Sequence, residues 1–489
     1  MSPSLIRHGL RRATFPPGEG FGAAGGRSLQ GVNVMLTYEL KKSPGVPLYE
    51  ALYRCIRADI LAGALLPGEK LPSKRALAAN LEVSKITVEA AYNQLLSEGY
   101  IRAREKVGYF VESRSSLPAP ARPVSRPEPE KAPPAIDLTA NGPAKFPFSV
   151  WSRLQREVML DYGEKLLLPL PNRGDIELRR AIADHLADFR GMAVDPENII
   201  IGAGTDFLYK LLIQLLGRDK LYALEDPGNG KIRKIYAAGG VECVSVPMDG
   251  LGVVPGGLEG AQVLHISPSH HFPTGLVTET SRRKELLAWA GTDKWIIEDD
   301  YDSEFRFDAH PKPAMASLDR LGRVISMNTF SKSLAPSIRI SYMILPPALM
   351  EDFQRRLGFY SCTVPSFEQL TLARFISRGH FEKHIHRMRK VYRARRNQVV
   401  ALLENCPLAP KITILEQDAG LHFLVKLDTA LSDGELTARL GEMGIRVRAL
   451  SEYYHGPVPE EDRHCLVVNY SGLDDDALAL LKEKLDIAM

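Results

Sequence analysis

Residues 328–345 read NTFSKSLAPSIRISYMIL, and the fold of the chain turns on the lysine in that stretch. Lys332 follows the short β-branched run RVISMN, stands between Ser331 and Ser333, and precedes Arg339 by seven residues. A lysine amine condenses with an aldehyde when a pocket or a nearby cation lowers its pKa. Hydroxyls and a fixed cation beside it suit a phosphate on the same small molecule. Taken alone, a lysine in a serine-rich loop is usually a surface lysine, so its neighbours along the chain decide the reading.

Upstream, KWIIEDDYDSEF (294–305) is a buried strand ending in Glu298, Asp299, Asp300, Tyr301 and Asp302. Open α/β sheets bind ligands beyond the carboxyl ends of their strands. One carboxylate there can keep a pyridinium nitrogen protonated, and a tyrosine two residues later lies on the same side of an extended chain. A hydrated acidic loop or a divalent-metal site is the alternative; the lysine loop downstream makes metal the weaker choice, and no metal ligands are assigned. In IIIGAGTDFLYKLLIQLLG (199–217) a strand ends in a glycine turn and an amphipathic helix begins near Thr205. Amides at such a helix start bind phosphate, Gly204 allows close approach, and Asp206 sits in the same turn. HISPSHHFPTG (265–275) is a strand and turn that brings Ser269, His270 or His271 beside a bound ring, for stacking or simply for packing.

These strands, with VECVSV and RVISMNT, alternate with helical patterns through 136–489, which indicates a mostly parallel sheet covered on both faces and a smaller C-terminal subdomain from about 375. Ahead of it, 113–135 (SRSSLPAPARPVSRPEPEKAPPA) is a Pro-rich linker, 46–112 is a compact patterned segment, and 1–45 is a disordered or extended tail in which Met35 opens a more orderly stretch and marks an alternative start. The expected fold is thus a small α+β domain joined to a large α/β domain. The chain has 489 residues, 45% of them hydrophobic and 25% charged, which excludes collagen-like and wholly disordered classes. Its net charge of +3 shows no global basic field, so any nucleic-acid contact has to be local. Five scattered cysteines without CxxC spacing point to a reducing compartment. No apolar run is long enough for a membrane span and no signal core is present, so the expected place is the cytoplasm.

In the small segment, Leu52, Ile56 and Ile60 form one helical stripe, Ser73 caps a second helix, and Ser84 caps a third, KITVEAAYNQLLSEG. Two short strands around a turn at Gly108 follow. Three helices and a hairpin make a winged helix-turn-helix, whose third helix enters the major groove of DNA while the wing lies on the backbone. Nine Lys/Arg face eight Asp/Glu over 46–112, yet Lys74, Arg75 and Lys85 cluster at two helix starts and Arg102, Arg104 and Lys106 on the wing.

PSKRALAANLEVSKITVEAAYNQLLSEGYI (72–101) resembles the GntR type of bacterial regulator nearly throughout. The resemblance implies base and phosphate contacts by Arg75, Ser84, Lys85 and Thr87, with Gly108 at the wing tip. The lysine loop, the acidic strand end, the glycine turn and the PSHHFPTG turn, with GDIELRRAIADHLADFRG and AGLHFLV, resemble the fold-type I aminotransferase superfamily across nearly all of 136–489. The joined architecture is similar to the MocR/GabR-like branch of GntR regulators. This implies pyridoxal 5'-phosphate as cofactor, an internal aldimine on Lys332, Asp299 at the pyridine nitrogen, Tyr301 at the ring hydroxyl, and Thr205, Ser331 and Arg339 at the phosphate, with Gly204 and Asp206 among the cofactor contacts. It also implies a transcriptional regulator that senses the cofactor or an amino-compound effector through aldimine exchange, as a head-to-tail homodimer on direct-repeat promoter DNA. A true aminotransferase with an appended DNA module is the alternative. One departure stands out: LEDPGNGKIRKIY (224–236) has Asn229 where the family pattern E-x-P-G-Y has tyrosine. Asn229, Lys231, Arg446 and Arg448 are the candidate effector contacts.

Overall fold

The computed structural model describes residues 35–38, 40, 47–112, 135–140, 142, 145–305, 307, 312–415 and 420–487. The tail before Met35 and the linker expected at 113–135, apart from Ala135, lie outside them. The chain divides into two compact units, Met1–Glu130 and Lys131–Met489.

In the first unit, α1 (Leu48–Leu61), α2 (Lys74–Asn80) and α3 (Lys85–Ser97) precede the antiparallel strands β1 (Ile101–Arg104) and β2 (Gly108–Val111). The two helix starts are set by their caps: the Ser73 hydroxyl accepts from the Ala76 amide and the Ser84 hydroxyl from the Thr87 amide, both at 3.1 Å. Leu52, Ile56, Leu77, Val88, Ala91, Tyr92 and Leu95 fill one core. The wing turns through Lys106 and Gly108, both at positive φ, where glycine is unstrained. Residues 35–38 and 40, in the orderly stretch that Met35 opens within the expected tail, pack against this unit. Leu36 is 1% exposed in the same core, the Asn80 amide donates to its carbonyl at 2.8 Å, and the Tyr38 hydroxyl donates to Asp59 at 2.6 Å. One leucine carries no periodic signal, yet its burial is worth about 2 kcal/mol.

The second unit is built on an eight-stranded sheet. After β3 (Ile136–Asp137) and helices α4 (Phe148–Tyr162) and α5 (Ile176–Arg190) come β4 (Ile199–Gly202), α6 (Thr205–Leu216), β5 (Leu221–Asp226), α7 (Gly230–Ala238), β6 (Glu242–Asp249), β7 (Gly252–Val253), β8 (Val263–Ile266), α8 (Thr280–Ala290), β9 (Trp295–Asp299), α9 (Met315–Leu318), β10 (Val324–Thr329), α10 (Phe330–Ser333) and β11 (Ser341–Ile344). The strand order is β4-β11-β10-β9-β8-β5-β6-β7. From β10 through β6 all neighbours are parallel, whereas β11 is antiparallel to both β10 and β4. Strands such as β4, β8 and β10 are buried along their whole length, as expected of a sheet covered on both faces.

Helices α11 (Pro347–Leu357), α12 (Ser366–Ser377) and α13 (His380–Glu404) lead to a smaller antiparallel sheet formed by β12 (Ile412–Leu415), β13 (His422–Leu427), β15 (Arg448–Ala449) and β16 (Cys465–Asn469). Helix α14 (Asp433–Glu442) precedes β14 (Ile445–Arg446), which pairs with β3, and α15 (Asp475–Ile487) ends the unit. A single apolar cluster runs from Leu178 and Ile182 of α5 through Phe375, Phe381 and Tyr392 to Phe423 and Val468 of this sheet, so the C-terminal layer shares its core with the rest. Among the described residues no helix is long and apolar enough to cross a membrane.

Candidate functional site

Strands β4, β5, β8, β9 and β10 run in one direction, and their carboxyl ends meet around a cavity of about 450 Å³. Each end supplies a polar group to its wall: Thr205 after β4, Glu225 from β5, Ser267 after β8, Asp299 from β9 with Tyr301 just after it, and Thr329 from β10 with Ser331 and Lys332 after it in α10. Asp206, Tyr209, Asn229, Lys231, Phe272 and Arg339 complete the polar and aromatic lining.

Pleating explains the acidic strand end. Asp299 and Tyr301 line the cavity, while Glu298 accepts from the Met315 amide at 2.9 Å and Asp300 pairs with Arg190 at 2.7 Å, as alternate residues of an extended chain point opposite ways. The loop bearing Lys332 is closed as a hairpin: Ser341 donates to the Thr329 hydroxyl at 2.8 Å and the Phe330 amide to the Ile340 carbonyl at 2.9 Å. Burial lowers the Lys332 amine below its ordinary value, against the opposing pull of Asp302 and Asp299.

One end of the cavity is shaped for an anion. Gly204, at φ 88°, caps α6, and a Cβ there would lie 2.1 Å from the Arg339 guanidinium. Arg339 is itself left-handed at φ 49°, a conformation costing about 1–2 kcal/mol in a non-glycine residue. Asp206 accepts from Lys231 at 2.7 Å and lies 3.7 Å from Arg339. The Ser331 hydroxyl is buried with no hydrogen-bond partner. A helix start, two cations and an unsatisfied hydroxyl together call for a phosphate-like group.

At the other end, Asp299 is held through one oxygen. Its Oδ2 accepts from the Tyr209 hydroxyl and faces His265 Nε2 at 3.6 Å, while His265 Nδ1 meets the Tyr236 hydroxyl at 2.7 Å. Burial pushes the Tyr236 phenol well above its ordinary value, so it stays protonated beside His265. Asp299 Oδ1 is buried and unpartnered. Burial likewise keeps Tyr301 protonated, with its hydroxyl 3.3 Å from His270 Nδ1. Glu225 is pushed well above the carboxylate range by burial, with one oxygen accepting from the Ser267 amide at 3.0 Å and the other unpartnered.

Several expected contacts lie elsewhere. Ser269, His270 and His271 are buried behind the cavity wall, and Ser267 and Phe272 of the same loop line it instead. Ser269 faces Arg190 at 3.4 Å. His270 bonds Asp302 at 2.9 Å and packs 4.7 Å from the His422 ring, in space that exists because residue 420 is glycine. His271 bonds Thr274 at 2.8 Å, and burial takes its pKa down to about 3. The buried Arg283 donates to the Pro268 and Thr278 carbonyls at 2.6 and 3.0 Å, on either side of this turn. Arg446 pairs with Asp137 across β14 and β3 and is no part of the cavity. Arg448 is exposed beside Tyr453, one ring removed from Phe272 and outside the lining. Asn229 lines the cavity while its side chain caps α7 at 3.1 Å, and Lys231 belongs to the anion end. The sequence reading missed Tyr209, one helical turn beyond Thr205 and so findable by spacing. It also missed His265, Tyr236 and Glu225, which only the sheet order brings together.

On the small unit, Arg75, Lys85, Arg102, Arg104 and Ser84 are exposed and Thr87 is half-buried. Ser84 and Thr87 hydroxyls bond each other at 2.8 Å. Lys74 does not point outward: its ammonium pairs with Glu89 at 2.7 Å and lies 5.3 Å from the Tyr109 ring centre, with only 18% of the side chain exposed. Arg102 pairs with Glu112 at 3.1 Å and Arg104 lies 4.9 Å over Phe110.

Comparison with known proteins agrees with both halves. Residues 48–111 match the family of bacterial regulatory proteins of the gntR type, and residues 133–485 match aminotransferase class I and II. The chain is 36% identical to the uncharacterised HTH-type transcriptional regulator YhdI of Bacillus subtilis over 93% of its length and 98% of that protein. It is 33% identical to the probable rhizopine catabolism regulatory protein MocR of Rhizobium meliloti, covering 89% of this chain and 92% of that one. Similarity to the pyridoxine biosynthesis regulator PdxR of Corynebacterium glutamicum is 32% over 86% and 92%. The kynurenine aminotransferase of Pyrococcus horikoshii superposes with a TM-score of 0.63 at 24% identity, over 72% of this chain and 91% of that one, which shows the shared fold. A gntR-type winged helix joined to an aminotransferase-like domain, with MocR-type relatives along nearly its whole length, places this chain in the MocR-like group of GntR-family transcriptional regulators.

Proposed function

We propose that the large domain holds pyridoxal 5'-phosphate and senses the cofactor itself or an amino compound, and that the small domain carries the outcome to promoter DNA. One observation supports this above the rest: a single cavity collects an amine of lowered pKa, a carboxylate oxygen without a partner and an anion cradle with an unsatisfied hydroxyl. These match the aldehyde, the pyridine nitrogen and the phosphate of that cofactor. When bound, the cofactor supplies a carbonyl that combines reversibly with primary amines and a ring that draws electrons from the bonds formed there.

The chain's own groups prepare that chemistry. Asp299, fixed by Tyr209 and His265, would hold a proton at the ring nitrogen through Oδ1. Tyr301 would donate to the ring hydroxyl. Thr205, Ser331 and Arg339 would bind the phosphate, with Lys231 as a second cation released from Asp206. Burial keeps the Lys332 Nζ free of a proton for longer, and so reactive. An effector would enter past Asn229 and Phe272, where asparagine offers a hydrogen bond but no ring to stack.

Regulation rather than turnover is favoured because the relatives that match over nearly the whole chain are named transcriptional regulators. We read the working form as a homodimer in the bacterial cytoplasm whose two heads engage direct repeats. The test is a titration of the purified chain, loaded with pyridoxal 5'-phosphate, with amines and vitamin forms. Cofactor absorbance and affinity for a selected duplex are followed together. An effector that moves both supports the reading, whereas steady transamination with no duplex bound would favour an aminotransferase.

A further inference from the structure

Ile86 is 77% exposed in the first turn of α3, between Lys85 and Thr87. A β-branched apolar side chain held in water contributes nothing to the core, whose α3 face is Val88, Ala91, Tyr92 and Leu95. Its surroundings are arranged for an anionic surface. Lys85, its neighbour in the chain, is exposed, as is Arg75 in the first turn of α2. The acid one turn further on the same helical face, Glu89, is neutralised by Lys74 at 2.7 Å. The Thr87 hydroxyl is committed to Ser84. The first turn of α3 therefore offers a cation and an aliphatic group beside the paired Ser84 and Thr87 hydroxyls.

We propose that Ile86 reads the 5-methyl group of a thymine in the major groove. That methyl is the apolar feature of the base edges displayed there, and small apolar side chains are its usual partners. The inference rests on the small domain's being the DNA reader and adds a base preference to it. Lys85 and Arg75 would hold the backbone and bring Ile86 to the edge, so that one thymine per half-site contributes through a contact made of carbon alone.

The test uses the full-length protein. Duplexes are selected from a random pool, and the selected site is rebuilt with deoxyuridine in place of each thymine in turn, which removes one methyl and leaves pairing intact. The wild-type protein should lose about fivefold in affinity at one thymine per half-site, the magnitude expected of one buried methyl group at an apolar contact. Ile86→Ser should bind thymine and uracil duplexes alike, and Ile86→Val should restore the difference. Uracil tolerated at every position by the wild-type protein overturns the proposal. So does an Ile86→Ser loss that is equal on both duplexes, which would mean that Ile86 packs against protein, such as a second copy. If the wild-type protein selects no duplex, the DNA-reading function fails and this inference with it. Unchanged thermal unfolding of Ile86→Ser separates a reading defect from a folding one.

Discussion

In the small domain the side chains assigned to function stand in water, with Arg75, Lys85 and Ile86 all exposed at the starts of two helices. In the cavity they are withdrawn from water and left short of partners, as Ser331 Oγ and Asp299 Oδ1 are. A buried polar group without a partner costs about 1–3 kcal/mol, so its survival in a packed domain points to a ligand that completes it. An exposed cation costs the fold nothing and carries no such message. Function in the cavity is therefore inferred from what the fold leaves unsatisfied, and function in the head from what it leaves uncovered.

The largest effects should divide along that line. Lys332→Ala should abolish the cofactor absorption band completely while the protein still binds a selected duplex; a band that persists would break the cavity half of the comparison. Arg75→Ala with Lys85→Ala should do the converse. Two such contacts are worth about 1–3 kcal/mol each, so duplex affinity should fall about a hundredfold and its salt dependence become shallower by about two counterions, with the band intact. Fluorescence anisotropy at several salt concentrations checks this, and undiminished binding would remove α3 as the reader.

Within the cavity, Tyr209→Phe deletes the hydroxyl that donates to Asp299 without opening space. A hydrogen bond to a charged group contributes about 1.5–3 kcal/mol, so pyridoxal phosphate should bind about tenfold more weakly by equilibrium titration. Affinity unchanged by this substitution would leave His265 as the group that positions Asp299.

What the sequence disclosed and what it withheld also follow this division. The caps at Ser73 and Ser84, the alternation that turns Asp299 and Tyr301 to one side, and the loop that places Lys332 after its strand are encoded within a few residues and were legible. Tyr209 lies one turn from Thr205 and was within reach of the same spacing rule. His265 beside Asp299, Ser269 against Arg190 and Arg446 against Asp137 depend on strand order and on a pairing 309 residues apart, which no local pattern records. Leu36 shows the limit most simply, as one buried leucine in a stretch too short to announce its partner.

A smaller effect tests a buried acid outside the cavity wall. Burial, with Asp300 nearby, raises the Glu304 carboxyl to about 7 from 4.5, and Asn328, which leads into the lysine loop, donates to it at 3.3 Å. A carboxyl raised on folding favours the folded state fully below its unfolded value and loses that contribution as pH rises through its folded value. Wild-type stability should therefore decline between pH 4.5 and about 7 relative to Glu304→Gln, which keeps an acceptor for Asn328 and cannot ionise. Melting temperatures of both proteins across that range decide it, and parallel curves would show that Glu304 does not titrate there.

The smallest effect sharpens the comparison from the head. Lys74 lies among the cations that sequence grouped with Arg75 and Lys85, but its ammonium is turned onto Glu89 and the Tyr109 ring. Its pKa is raised, first by the bond to Glu89, and that of Glu89 is lowered by the same bond, so the pair holds its charge on the molecule rather than offering it outward. Partly exposed pairs of this kind add little to stability, and a cation already compensated releases few counterions on binding DNA. Lys74→Met keeps the aliphatic contact with Tyr109 and should change duplex affinity by less than about threefold, an order of magnitude below the effect of the Arg75 and Lys85 substitutions. If Lys74→Met matched them instead, the exposed-cation rule would fail for the head. Lys74 would then have to leave Glu89 when DNA binds, and the bare Glu89 carboxylate would make Glu89→Gln increase affinity in the Lys74→Met background.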